Sequence, residues 1–217
     1  METDKKIFWI SSFPKSGNTW LRLILTGIFF TEDGKIEDFK LLNRVPSHDI
    51  LDNFNFVKNI SLDDYDKIFN CKEYNEDSIL AYSKYWIESQ KRINLIQGNF
   101  GIFKTHNARV KINNHYYTDH STSAGFIYVC RDPRDIAVSY SKHINKNIDE
   151  TIDYILNGQI MEKQKTNNKM PEITLNWKNH YLSWKKFSTE VPNLFIKYED
   201  MLLNPEKEII KIIDFFI

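Results

Sequence analysis

Apolar positions along the chain fall into short, sharply bounded runs separated by polar stretches. KIFWISS, at residues 6–12, predicts a short buried strand. Residues 17–30, GNTWLRLILTGIFF, are apolar nearly all round and predict a buried helix. Residues 31–77 are polar and rich in Asp, Asn and Lys. Phe39, Phe54, Phe56 and Phe69 recur there without a clear period, which predicts mostly loop with short helices. A helix is expected over 78–97, and strands over 100–105 and 124–130, the latter reading AGFIYVC. Asp132-Pro133 then marks a helix start: Asp caps, Pro suits the first helical position, and Asp135 favours the positive end. Residues 147–171 are polar and weakly patterned, which predicts a mobile lid or loop. Ile173, Trp177, Tyr181, Trp184 and Phe187 step by threes and fours, as one core-facing helix stripe would. NLFIKY at 193–198 predicts another strand, and Asn204-Pro205 opens a last helix. Strands alternating with helices, with no repeats or low-complexity linkers, predict one α/β domain over 1–217. Its central sheet should be mostly parallel and flanked by helices.

Composition narrows the partners. A chain of 217 residues, 41% hydrophobic, can bury a sizeable core. Lys+Arg and Asp+Glu are both 29, and that balance argues against general nucleic-acid binding. An anionic ligand must then be met by cations placed locally. Cys71 and Cys130 are few and unpatterned, as in a reducing cytosol, and Cys130 ends an apolar run as a buried free thiol would. The first apolar run, in METDKKIFWI, is too short for a signal peptide or a membrane span, which points to a cytoplasmic protein without stable membrane insertion. The abundance of Asn, Lys and Ile suggests AT-rich coding and a bacterial source.

Three clusters of chemically capable residues each follow a predicted strand. In open α/β sheets, ligands bind outside the carboxyl ends of the strands. In the first, Phe13-Pro14-Lys15-Ser16-Gly17-Asn18-Thr19-Trp20 joins strand to helix. Such a turn aims backbone N–H groups and a helix dipole at an anion. Gly17 permits close approach of the backbone, Lys15 adds a positive charge, and Ser16 and Thr19 add hydroxyls. The pattern is not the ATPase loop G-x-x-x-x-G-K-[ST], because Lys15 precedes the only glycine. In the second cluster, Lys104-Thr105-His106, the imidazole is a candidate general base. In the third, Arg131 leaves a strand end, and Ser139 lies eight residues on, about two helical turns later. The pair could clamp a second phosphate. Alternatively, Arg131 and Arg134 could simply pair with Asp132 and Asp135 at the surface.

Together these clusters resemble the PAPS-dependent sulfotransferase family. The family's P-K-[SA]-G-[TN]-T-W motif stands here as Pro14 to Trp20, and its K-T-H element as Lys104-Thr105-His106. Its 3′-phosphate motif, Y-[VIL]-x-R-[DN]-P-x-D-x-[AV]-x-S-x-Y, stands as Tyr128 to Tyr140, and its F-x-x-[YF]-E-[DE]-[ML] element as Phe195 to Met201. The resemblance implies a P-loop NTPase-like three-layer fold and sulfonate transfer from PAPS to an acceptor hydroxyl by in-line displacement. It implies that Lys15 contacts the 5′-phosphosulfate, that Ser16, Gly17, Asn18 and Thr19 supply loop donors, and that Trp20 and Tyr198 flank the adenine. It further implies that Arg131 and Ser139 hold the 3′-phosphate, that Lys104 stabilises the moving sulfonate, and that His106 takes the acceptor proton. No metal is required by this scheme.

The sequence departs from the family in places. The family's R-K-G-x-x-G-x-W loop has no counterpart: Gly158 is the last glycine, and the final residues run apolar to Ile217. An incomplete sulfotransferase with weakened PAPS binding is therefore expected. The stretch between Trp20 and His106 is longer than in the animal cytosolic enzymes, and Asn107 replaces the usual proline. Two other readings stay open, a P-loop nucleotide kinase and a non-catalytic nucleotide-binding member. The acceptor wall is expected from residues 39–97 and 147–171, which suit a small molecule, glycan or lipid hydroxyl alike.

Overall fold

A computed structural model describes residues 6–54, 59–71, 74–93, 95, 100–161 and 169–217. Its centre is a four-stranded sheet of β1 (Lys6–Ser12), β2 (Phe100–Thr105), β3 (Ser123–Cys130) and β4 (Asn193–Lys197). The order is β2-β1-β3-β4 and every pairing is parallel. Parallel strands need crossovers, and here helices supply most of them. The crossover helices are α1 (Asn18–Phe30), α2 (Glu76–Ser83), α3 (Trp86–Lys91), α4 (Pro133–Ile144), α5 (Ile148–Asn157) and α6 (Trp177–Phe187), while α7 (Tyr198–Leu203) and α8 (Pro205–Phe216) follow β4.

Side-chain alternation along β1 builds both faces of the sheet. Ile7 and Trp9 enter one core with Tyr82, Trp86, Tyr117, Trp184 and Phe187. Phe8 and Ile10 enter the opposite core with Leu21, Leu25, Ile196, Met201 and Ile212. The sheet is thus sandwiched between α2, α3 and α6 on one side and α1, α7 and α8 on the other, as the three-layer expectation requires. Register puts the strand ends level: Ser11 lies beside Thr105 and Tyr128, and Cys130 beside Lys197. The loops after β1, β2 and β3 therefore emerge on one rim, with that of β1 in the middle.

Several expected elements take a different form. The stripe from 173 to 187 is not one helix. Ile173 lies in a strand, Glu172–Leu175, that pairs with Gln159–Met161. Leu175 then turns left-handed, and the Asn176 side chain accepts from Asn179 N–H, which fixes the start of α6 at Trp177. The stretch expected as a loop over 147–171 contains α5, started by a capping box between Asn147 and Glu150; residues 162–168 of that stretch lie outside the described ones. The helix expected over 78–97 is two, broken at Lys84-Tyr85, and residues 94, 96 and 97 lie outside the described ones. Helix α1 is not buried all round: Phe29 is 43% and Phe30 39% exposed. Both cysteines are free, and Cys130 is half-buried rather than enclosed.

Candidate active site

The turn between β1 and α1 is held open toward the rim by backbone conformation. Lys15 has φ 67° and Gly17 φ 103°, both left-handed. The second would be strained in any residue with a Cβ. Gly17 also meets the Tyr198 ring: a Cβ there would lie 2.5 Å from Tyr198 Cδ2. No side chain caps α1, and no acid stands in its first turn. Its first N–H groups, at Asn18, Thr19 and Trp20, thus lack helical partners and carry the positive end of the helix dipole. Lys15 Nζ has no hydrogen bond or ion pair among the described residues. Ser16 is fully buried, with its Oγ unpartnered. An uncapped helix end, a free ammonium and an orphaned hydroxyl form an anion site in a strand–turn–helix frame.

Asn18 closes the neck of this turn. Its Nδ2 donates to Ile10 O at 3.3 Å and to Ser12 Oγ at 3.2 Å, so its side chain positions the loop and leaves its backbone N–H for a ligand. Thr19 is exposed on the first turn of α1. Trp20 packs edge-on against Tyr198, with ring centroids 5.7 Å apart.

The other two clusters clamp the same turn from either side. On one side, His106 Nδ1 lies 2.8 Å from Ser12 O. A carbonyl only accepts, so Nδ1 carries the proton and Nε2 keeps a free lone pair. Burial first, then the Lys104 charge, pushes the imidazole well below its ordinary range, so it is neutral at pH 7. On the other side, Arg131 Nη1 donates to Lys15 O at 3.2 Å. Its guanidinium lies over the Tyr198 ring, 4.2 Å from the centroid, and its Nε is buried without a partner. This excludes the plain surface-pair reading for Arg131, though not for Arg134, which does pair with Asp132. Ser139 is half-buried in α4, whose N-cap Asp132 accepts from Arg134 N–H at 2.9 Å.

Sequence reasoning missed three supporting groups. His180, on α6, bonds His106 O through Nε2 at 3.1 Å and accepts from the Tyr128 hydroxyl at 2.8 Å. Burial lowers His180 to about 3, so it stays neutral. Glu172 accepts from His106 N–H at 3.2 Å and lies 3.9 Å from Lys104 Nζ. Burial pushes its carboxyl up against the pull of Lys104. Glu199 accepts from Asp132 N–H at 2.9 Å, fixing the turn after Arg131. Only the last sits in a quoted motif; Glu172 falls in a stretch with no pattern of its own.

Residues 5–216 match the sulfotransferase domain family. The chain belongs to that family. Curated relatives include mouse sulfotransferase 1E1, 24% identical over 95% of this chain, and the guinea-pig (Cavia porcellus) protein of the same name, 26% identical over 95%. Each match takes in 57% of the relative, so this sulfotransferase-family chain spans little more than half their length. Among solved structures it resembles mouse sulfotransferase SULT7A1 complexed with PAP, with TM-score 0.51 at 19% identity, covering 97% of this chain and 58% of that one. It also resembles retinol dehydratase in a complex with retinol and PAP, with TM-score 0.52 at 20% identity, covering 98% and 60%. At such identities the structures speak for the sulfotransferase fold. Among the described residues no helix is long and apolar enough to cross a membrane, and no cluster of side chains is suited to a metal ion.

Proposed function

We propose that this chain transfers a sulfonate group from PAPS to an acceptor hydroxyl. The observation that carries the reading is the convergence of three motifs on one turn, with His106 against Ser12 and Arg131 against Lys15. Lys15 and the first N–H groups of α1 hold the 5′-phosphosulfate. Arg131 and Ser139 hold the 3′-phosphate, and Trp20 and Tyr198 flank the adenine. His106 Nε2 takes the acceptor proton as the acceptor oxygen attacks sulfur in line. The new S–O bond forms while the bond from sulfur to the phosphate oxygen breaks, and PAP leaves with that electron pair. Lys104 stabilises the sulfonate in flight, and Lys15 offsets charge growing on the leaving phosphate. The step itself needs no metal, since lysines and N–H groups neutralise the donor.

Retinol dehydratase, whose fold this chain resembles, is seen in complexes with retinol and with androsterone, which favours a lipophilic alcohol as acceptor. The test is a screen with sulfur-labelled PAPS against 2-naphthol, androsterone and retinol. Labelled product is expected with at least one of them. Lys15→Ala should lower the rate on the order of 10²-fold or more, as removal of a charge-stabilising group does. Undiminished transfer in Lys15→Ala would overturn the mechanism.

A further inference from the structure

Glu172 is 5% exposed, and its carboxylate has two neighbours of opposite kind. Oε1 accepts the backbone N–H of His106 at 3.2 Å and lies 3.9 Å from the ammonium of Lys104. Hydrogen bonds on either side fix its backbone. Met170 N–H donates to Asp49 O at 2.7 Å, Ile173 N–H to Asn107 Oδ1 at 2.7 Å, and Ala108 N–H to Ile173 O at 2.8 Å. Lys104 is fixed in turn: its N–H donates to Pro46 O and its carbonyl accepts from His48 N–H, both at 2.9 Å. A second pair, half-buried Lys169 with buried Asp49 at 3.4 Å, stands beside the first.

At 3.9 Å the ammonium is held by charge and not by a hydrogen bond. No other hydrogen bond engages Lys104 Nζ among the described residues, so its three donors remain free for an anion.

We infer that Glu172 is a positioning residue for sulfonate transfer, holding the Lys104 ammonium in place by charge with its donors free and fixing the His106 backbone at the same carboxylate. The inference rests on the functional reading above and adds a residue that no motif of the chain contains.

The test compares Glu172→Gln, Lys104→Met and the double variant in the full chain, with labelled PAPS and the acceptor that responds in the screen. Gln keeps an acceptor for the His106 N–H and removes the charge. Glu172→Gln is expected to lower kcat about tenfold and leave KM for PAPS within about twofold. The double variant should be no slower than Lys104→Met alone. Melting temperature gives an independent readout. Lys104→Met strands a buried carboxylate and should lower Tm by about 5 °C or more, and adding Glu172→Gln should restore most of that. Losses that multiply in the double variant, or a double variant that melts lower still, overturn the inference and leave the functional reading standing. Failure of the unmodified chain to bind PAP or to transfer sulfonate overturns that reading, and this inference with it.

Discussion

At the scale of single residues, Gly17 and Arg131 carry the sharpest consequences. Gly17 has a left-handed φ and the Tyr198 ring against its Cα. Gly17→Ala adds backbone strain and a clash, costing about 2–4 kcal/mol together, read as a lower urea midpoint and Tm. Arg131 uses planarity as well as charge, since it stacks on Tyr198 while donating to Lys15 O. Arg131→Lys keeps the charge but loses the stacking and the fork of donors. It should weaken PAP binding about tenfold in a calorimetric titration, the equivalent of roughly 1.4 kcal/mol. Unchanged affinity would mean that Arg131 serves the fold and not the nucleotide. These residues were legible in the sequence because their chemistry is local: a glycine in a strand–turn–helix and an arginine at a strand end. Glu172 and His180 were not, because their roles come from long-range contacts. Glu172 meets His106 from 66 positions away, and His180 meets it from 74.

At the scale of elements, α6 is strapped to the site through His180, which bridges Tyr128 on β3 and the His106 carbonyl. Tyr128→Phe removes the donor to Nδ1 and leaves a buried imidazole nitrogen unpaired. It should cost about 1–3 kcal/mol by urea denaturation. No change would mean that the bridge contributes nothing. The strands were readable because continuous apolar runs such as AGFIYVC have few alternatives in an α/β chain. Helix α5 was hidden, because its outward positions Ile148, Ile152 and Leu156 are exposed and only Thr151 and Ile155 are buried. Its one clear signal was the capping box at Asn147 and Glu150. Ile173 fell in step with the α6 stripe by coincidence of spacing. Its pairing with Gln159–Met161 places it in a strand, and its bonds to Asn107 Oδ1 and the Ala108 N–H tie that strand to the loop after β2.

At the scale of the whole molecule, two enclosed imidazoles, His48 and His180, and the half-buried one of His106 set a pH limit. His48 is lowered to about 4 and His180 to about 3, while His106 is lowered well below its usual range, each chiefly by burial. The unfolded chain binds protons at these groups below about pH 6.5, where the folded chain does not. Their neutral burial therefore costs no stability above that pH, and stability falls as pH drops toward 4. Each imidazole contributes up to about 1.4 kcal/mol per pH unit to that slope. Glu172, raised by burial, runs against the slope as one group against three. Urea midpoints should fall steadily from pH 7 to 4.5, and a flat profile would contradict the neutral assignment. Transfer itself should keep its rate as pH falls through 6, since His106 remains an unprotonated base there.

The donor site is where family, fold and geometry meet. Lys15 stands on the central turn with its ammonium unpaired among the described residues, and Arg131 braces the same turn from the side. Calorimetric titration of PAP into this chain tests the account most directly. One equivalent should bind with Kd on the order of 10–100 μM, and both Lys15→Ala and Arg131→Ala should weaken it about tenfold or more. Failure to bind, or binding that neither substitution disturbs, would contradict the account.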